Sequence, residues 1–544
     1  MEDKKEIRFS LSTFLLTLLI IAILSALVTA TVIIGFGGNS SDTSKDISAA
    51  NKVLEDTVVE KPETPVEKTE NVSDENIYSM DFNFLKAKNE EENKIYSPLS
   101  IRYALNMLKD GSNGTTKDQI TNLITDRALT KYNSNANLSL ANALFVRDTY
   151  ENSISKDYIK LLNDNYNAET IADSFESSEN VNAFVAKKTL NLLPNLLPDG
   201  PITNDFLLIN ALAIDLEWVE KFVHMDGYYS FYPHTNFSWS TSSNVVKYEK
   251  FNNTDLTVSG MDIGASVFKY KAVDDYGEQN IRDTVSKAFV DWKNSDQYYG
   301  DSEYEDKDFL PKFLDKYIED LNNYYGSIEK STEFEFFVND DVKVFAKKLK
   351  ESDNTNLQYV GIMPINESLT SYIEKVDDAK VNELISNLKS FERFEDFEEG
   401  YITRVKGFIP KFSFDYELDL KEQLNALGVT DIFDVEKADI SGIVEAEGAY
   451  ISDAIHKANI EFTQDGIKAA AVTEFGGLGA GDPFDYYLEM KVKEIDLTFD
   501  KPYMFIVRDV KTGEVWFTGT VYEPLNIEDE PEKDRDSLLA TYEK

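Results

Sequence analysis

The stretch from Gly466 to Gly481, "GIKAAAVTEFGGLGAG", sets a run of small residues against four glycines, Gly476, Gly477, Gly479 and Gly481. Such glycines raise the question of a phosphate-binding loop. A dinucleotide fingerprint needs a strand leading in and a helix N-terminus that receives the pyrophosphate. Here the following residues, "DPFDYYLEMKVKEIDLTF" from Asp482, alternate and are rich in aromatics, which predicts strand, so the phosphate reading is rejected. Read with period two, Ile467, Ala469, Ala471, Thr473 and Phe475 fall on one face, and Lys468, Ala470, Val472 and Glu474 on the other. Both charges lie on the second face. With Gly466 as a flexible joint, the segment can be an exposed loop or a strand of small residues slipped between existing strands, which is the signature of a switch.

The rest of the chain bounds what that switch can serve. Its 544 residues, 42% apolar, supply a large core. A formal charge of −43 excludes a nucleic-acid surface, since phosphate binding needs clustered Lys and Arg. No cysteine is present, so disulfides, thiolate metal sites and cysteine nucleophiles are excluded. Histidine occurs only at positions 224, 234 and 456, which leaves no histidine-rich metal centre. The acidic run Asp301 to Asp308 lacks the glycine-centred spacing of a calcium loop and reads as a solvated linker. Nucleophile elbows, H-E-x-x-H pairs and P-loop signatures are missing, so neither enzyme activity, cofactor nor metal is expected.

Phe9 to Gly38 carries no charge and exceeds the roughly 20 apolar residues that a spanning helix needs. Lys4, Lys5 and Arg8 precede it, and the next basic residue is Lys45. This places 1–8 in the cytoplasm, a transmembrane signal-anchor at 9–38 and the remainder outside. A cleaved signal peptide ending near "ALVTA" is the alternative, and either way the body is exported. Residues 39–75, rich in Ser, Thr, Glu, Lys and Pro, read as a disordered spacer. The folded domain is expected over 76–526, with a charged tail at 527–544. Cysteine-free composition and the anchor-plus-spacer plan suit a bacterial cell-surface protein.

Within the body, Leu99 to Leu108 shows helical spacing behind Ser97-Pro98. Asn204 to Ile214 reads as a strand buried on both faces, and Lys501 to Tyr522 as a hairpin. A separate module is expected at 273–341. In it Ile281, Val285, Ala288 and Trp292, and then Phe313, Leu314, Tyr317, Ile318 and Leu321, predict two helices around a polar loop.

Five ordered blocks resemble the serpin family. "HKANIEFTQDGIKAAAVTEF" (456–475) is similar to its hinge, with Gly466, Ile467, Ala469, Ala470, Ala471 and Thr473 in register. "YSPLSIRYALNMLKDGSNGTTKDQI" (96–120) resembles an early helix with Ser97 and Ser100. "FLLINALAIDLEW" (206–218) resembles the strand that bears a shutter asparagine, Asn210, and a breach tryptophan, Trp218. Residues 409–433 and 497–524 resemble two further blocks. Gln464 and Lys468 stand where acids are common in the family, and Asp215-Leu216-Glu217 departs from its pattern.

The resemblance implies an α+β fold of three β-sheets with surrounding helices and an exposed reactive-centre loop, here with a helical insertion. It implies a monomeric inhibitor whose loop is cleaved by a serine protease and whose hinge then enters the main sheet. The family register puts the reactive bond at Ala480-Gly481, with Leu478 and Gly479 as alternatives. Small residues there favour an elastase- or subtilisin-like protease. His456 joins Ser97, Ser100 and Asn210 at the shutter by the same resemblance. Without it, His456 and Trp218 read as core residues. The alternative function is a non-inhibitory surface binding protein acting through the inserted module.

Overall fold

The computed structural model describes residues 80–124, 129–222, 245–249, 255–323, 327–452, 454–467, 488 and 491–526. The expected anchor at 9–38, the spacer at 39–75 and the tail at 527–544 lie outside them. Among the described residues no helix is long and apolar enough to cross a membrane.

The seven-stranded sheet runs in the order Lys94–Tyr96, Val515–Val521, Tyr503–Asp509, Leu357–Pro364, Val342–Lys348, Glu335–Val338, Lys389–Ser390, each pair antiparallel. Its centre is dry: all eight residues of Leu357–Pro364 are buried. Tyr503–Asp509 and Val515–Val521 form the hairpin that their alternation predicts. A side chain at Gly519 has no room, because the carbonyl of Lys94 occupies the space of its Cβ.

A five-stranded sheet holds Val492–Asp496 parallel to Tyr401–Pro410, which pairs antiparallel with the long strand Asp255–Lys269. Val245–Glu249 and Ser327–Lys330 also pair with that long strand. After Lys269 the chain leaves the sheet for four helices, Ala272–Tyr276, Glu278–Lys293, Ser302–Glu305 and Phe309–Asn323. It returns at Ser327, which is the register partner of Phe268, so the excursion begins and ends at neighbouring points. The helices stop at Asn323; the later part of 273–341 is strand, Ser327–Lys330 and Glu335–Val338. Ile281, Val285 and Phe289 on one helix and Leu314, Tyr317, Ile318 and Leu321 on the other are buried in a small core of their own. That core also contains Phe268, Tyr270, Ile402 and Leu488.

The remaining two ladders are halves of one layer. One orders Glu169–Asp173, Leu138–Arg147, Phe206–Ile214; the other orders Phe412–Asp419, Ile455–Phe462, Gly466–Ile467, Leu216–Glu217. Only Asp215 separates Phe206–Ile214 from Leu216–Glu217, so one stretch of chain serves both halves. The expected three sheets are therefore present, the third split lengthwise. Against this layer packs the helix Pro98–Gly111. Its N-terminus forms as Ser97-Pro98 predicts: Ser97 Oγ accepts the Ser100 N–H at 3.0 Å and Pro98 occupies the first turn. Apolar side chains surround most of it, as befits a helix buried on nearly every face.

Candidate functional site

The site lies along the split. Among the described residues no ladder joins Phe206–Ile214 to Ile455–Phe462, although the two strands run close together. At one end the gap is bridged by Gly466 and Ile467, which pair with Glu217 and Leu216 on one side, while Ile467 pairs with Phe462 on the other. Gly466 is required here by close approach: a Cβ would strike the Leu216 carbonyl and come within 2.6 Å of Glu217 Cα. The glycine read from the sequence as a joint is thus also a point of steric contact. Beneath Ile467 a crevice opens between the strands, lined by Leu212, Ala213, Ile214, Asn459, Ile460 and Glu461. Bordering this gap also explains why Leu207, Leu208 and Asn210 are only half-buried, where the apolar run predicted burial on both faces.

A second cavity follows the same seam and gathers Ser100, Leu208, Asn210, Ala454 and His456. His456 is buried, and its Nε2 accepts the backbone N–H of Ser97 at 3.0 Å. Burial lowers its pKa from 6.5 to about 4, so the ring is neutral and Nε2 is free of a proton. Asn210 Nδ2 donates to Asn142 Oδ1, and Asn142 donates in turn to the Tyr166 carbonyl at 2.8 Å. Among the described residues neither Ser100 Oγ nor Asn210 Oδ1 has a hydrogen-bond partner, although both are buried. Two orphaned polar atoms in one cavity each carry a desolvation cost of about 1–3 kcal/mol until something pairs with them. Ser97, Ser100, Asn210 and His456 are thus brought together, from three separate segments.

Trp218 closes the bridged end. It is fully buried, donates Nε1–H to the Thr463 carbonyl at 2.9 Å, and its backbone N–H donates to the Asp465 carbonyl at 3.0 Å. Phe462, Phe222 and Tyr359 meet its ring edge-on, with centroids 5.4, 6.0 and 6.3 Å away. The unusual Glu217 finds its use here. Lys221 bridges Glu217 at 2.9 Å and Asp465 at 3.1 Å, and Lys350 reaches Glu217 at 2.5 Å. Those two lysines hold the Glu217 carboxyl below the usual range.

Sequence reasoning missed Lys347. Its ammonium is buried beside Trp218, 4.6 Å over the Phe222 ring, and donates to Thr332 Oγ1 at 2.5 Å and to the Glu333 carbonyl at 2.7 Å. Burial brings its pKa down from 10.5 to about 7. The available signal was parity: in Val342–Lys348, Lys347 shares a face with Phe345. Asn142 offered no such cue. The positions Ala469, Ala470, Ala471, Thr473, Leu478, Gly479, Ala480 and Gly481 lie outside the described residues.

A mixed fold with a sheet split along one seam, entered at one end by the hinge, defines the class, and comparison with known proteins names it. The family model "Serpin (serine protease inhibitor)" matches residues 78–243 and 327–524, and the chain belongs to the serpin family. Human Serpin B3 is 24% identical over 476 residues, spanning 80% of this chain and 95% of that one. The native state of tengpin, a thermophilic serpin, superposes with TM-score 0.54 at 22% identity, covering 82% of this chain and 92% of that one. Human thyroxine-binding globulin gives TM-score 0.55 at 16% identity, covering 82% and 98%. Members of the family are typically protease inhibitors and not enzymes, and some, thyroxine-binding globulin among them, are non-inhibitory.

Proposed function

We propose that the protein is an irreversible, suicide-type inhibitor of an extracellular serine protease, tethered to the cell surface by its N-terminal apolar run. The observation that carries the reading is the seam: Gly466 and Ile467 already sit in it as the first two residues of a strand, and the gap continues beneath them. The protease attacks near Ala480-Gly481 and forms an acyl-enzyme at the new C-terminus of the hinge. Ala469, Ala471 and Thr473 then follow Ile467 inward, adding ladder hydrogen bonds along Phe206–Ile214 and Ile455–Phe462. Strand addition releases a kinetically trapped state and carries the protease along before hydrolysis is complete. None of the inward residues is charged or proline, so nothing in the hinge stalls entry. Small residues at the bond suit an elastase- or subtilisin-like protease.

The test is to mix the full-length protein with proteases of both types and run denaturing gels. A protease–inhibitor band that survives boiling is expected, and the mass of the released fragment places the bond. Ala471→Arg should abolish the band while leaving cleavage intact. Cleavage without the band for every protease tried would overturn the proposal in favour of the non-inhibitory binding protein.

A further inference from the structure

The helical insertion carries an ordered aromatic tip. Trp292 lies edge-on to Tyr298 and Tyr304, with ring centroids 4.8 and 5.2 Å away. Lys293 fixes the arrangement: its ammonium pairs with Glu305 at 3.1 Å, donates to the Tyr304 carbonyl at 3.0 Å and lies 5.2 Å over the Tyr298 ring. The Tyr298 hydroxyl donates to Glu305 Oε1 at 2.7 Å. On this scaffold Tyr299 is 74% exposed, and Val290 on the adjoining helix is 51% exposed. Six acidic residues and a single lysine occur in the stretch from Asn294 through Asp308.

The insertion also shares its core with the root of the reactive loop. Leu488, the first described residue after that loop, is 2% exposed and belongs to the cluster of Ile281, Val285 and Ile318. The serpin family model passes over this region, stopping at 243 and resuming at 327. A protease seated on the loop covers on the order of 800 Å² of its partner, a footprint wide enough to extend past the scissile bond to the loop's root.

We infer that the aromatic tip is a second contact surface for the attacking protease, fitted to one with a basic rim beside its active-site cleft. This rests on the inhibitor reading. An exposed tyrosine, with only two side-chain torsions to fix, loses little conformational entropy on contact and is the usual chemistry of a binding hot spot. The acidic surround draws a basic partner and speeds its encounter.

The experiment compares the full-length protein with two double variants, Val290→Ser with Tyr299→Ala, and Glu303→Lys with Asp306→Lys. Against a basic elastase-like protease, the rate constant for boiling-resistant complex and the inhibitor-to-protease ratio are read at about 50 mM and about 500 mM salt. Each variant should slow complex formation roughly fivefold or more at low salt with the ratio unchanged. The lysine variant should also lose most of the salt dependence. Rates within about twofold of the parent for both variants would overturn the second surface while complexes still form. If the parent is cleaved without any complex, the inhibitor reading has failed instead. The cleavage rate then decides: a contacting tip still slows cleavage when altered, and unchanged cleavage overturns it.

Discussion

The backbone N–H of Ser97 donates to His456 Nε2 at 3.0 Å, joining two residues 359 positions apart. Ser97 caps the helix Pro98–Gly111, and His456 sits in the strand Ile455–Phe462 that borders the seam. One hydrogen bond therefore ties the helix beneath the split layer to the strand that must accept a new neighbour. It requires an unprotonated ring nitrogen, which burial guarantees at neutral pH.

His456 should make the fold acid-sensitive. Its folded pKa, about 4, lies below the unfolded 6.5, so the unfolded chain binds the proton first. The contribution is whole above pH 6.5 and is lost as pH falls toward about 4, amounting to roughly 3 kcal/mol. Thermal melts of the parent and His456→Asn across that range check it. The variant should show the shallower pH dependence.

Gly466→Val should expel the hinge from its pairing. The added Cβ meets the Leu216 carbonyl, and overpacking of this kind costs about 1–3 kcal/mol. Amide exchange is the direct readout: protection of the Ile467 and Trp218 amides should fall while the seven-stranded sheet stays protected. Unchanged protection would contradict the steric account.

Trp218→Phe removes the donor to the Thr463 carbonyl while keeping an aromatic ring. A loss of about 1–2 kcal/mol is expected. Trp218→Ala also empties the space between Phe462, Phe222 and Tyr359, and should cost about 3–5 kcal/mol. Urea unfolding separates the two. Equal losses would mean that the hydrogen bond, not the packing, holds this end.

Arg102 lies buried between Asp81 and Glu514, its Nη2 at 3.2 and 3.5 Å from their carboxylates. Arg102→Met leaves two buried carboxylates without their cation and should destabilise the protein by about 3–5 kcal/mol. Changing all three residues to apolar ones of similar size should restore most of that. Denaturant midpoints of the single and triple variants measure the difference.

Much of this was legible in the chain itself because it depends on neighbours in sequence. Serine followed by proline starts the helix at 98 whatever surrounds it. The helices Glu278–Lys293 and Phe309–Asn323 follow from apolar spacing. Alternation gave the hairpin of Tyr503–Asp509 and Val515–Val521.

Tertiary structure alone decided the rest. That Gly466 is a point of contact, that Lys347 is a buried amine beside Trp218, and that Ser100 and Asn210 face one cavity all depend on segments more than a hundred residues apart. Local pattern records which face a side chain takes, because backbone geometry sets the period. It does not record which distant strand will lie opposite, since that is chosen by how the whole set of apolar faces packs together.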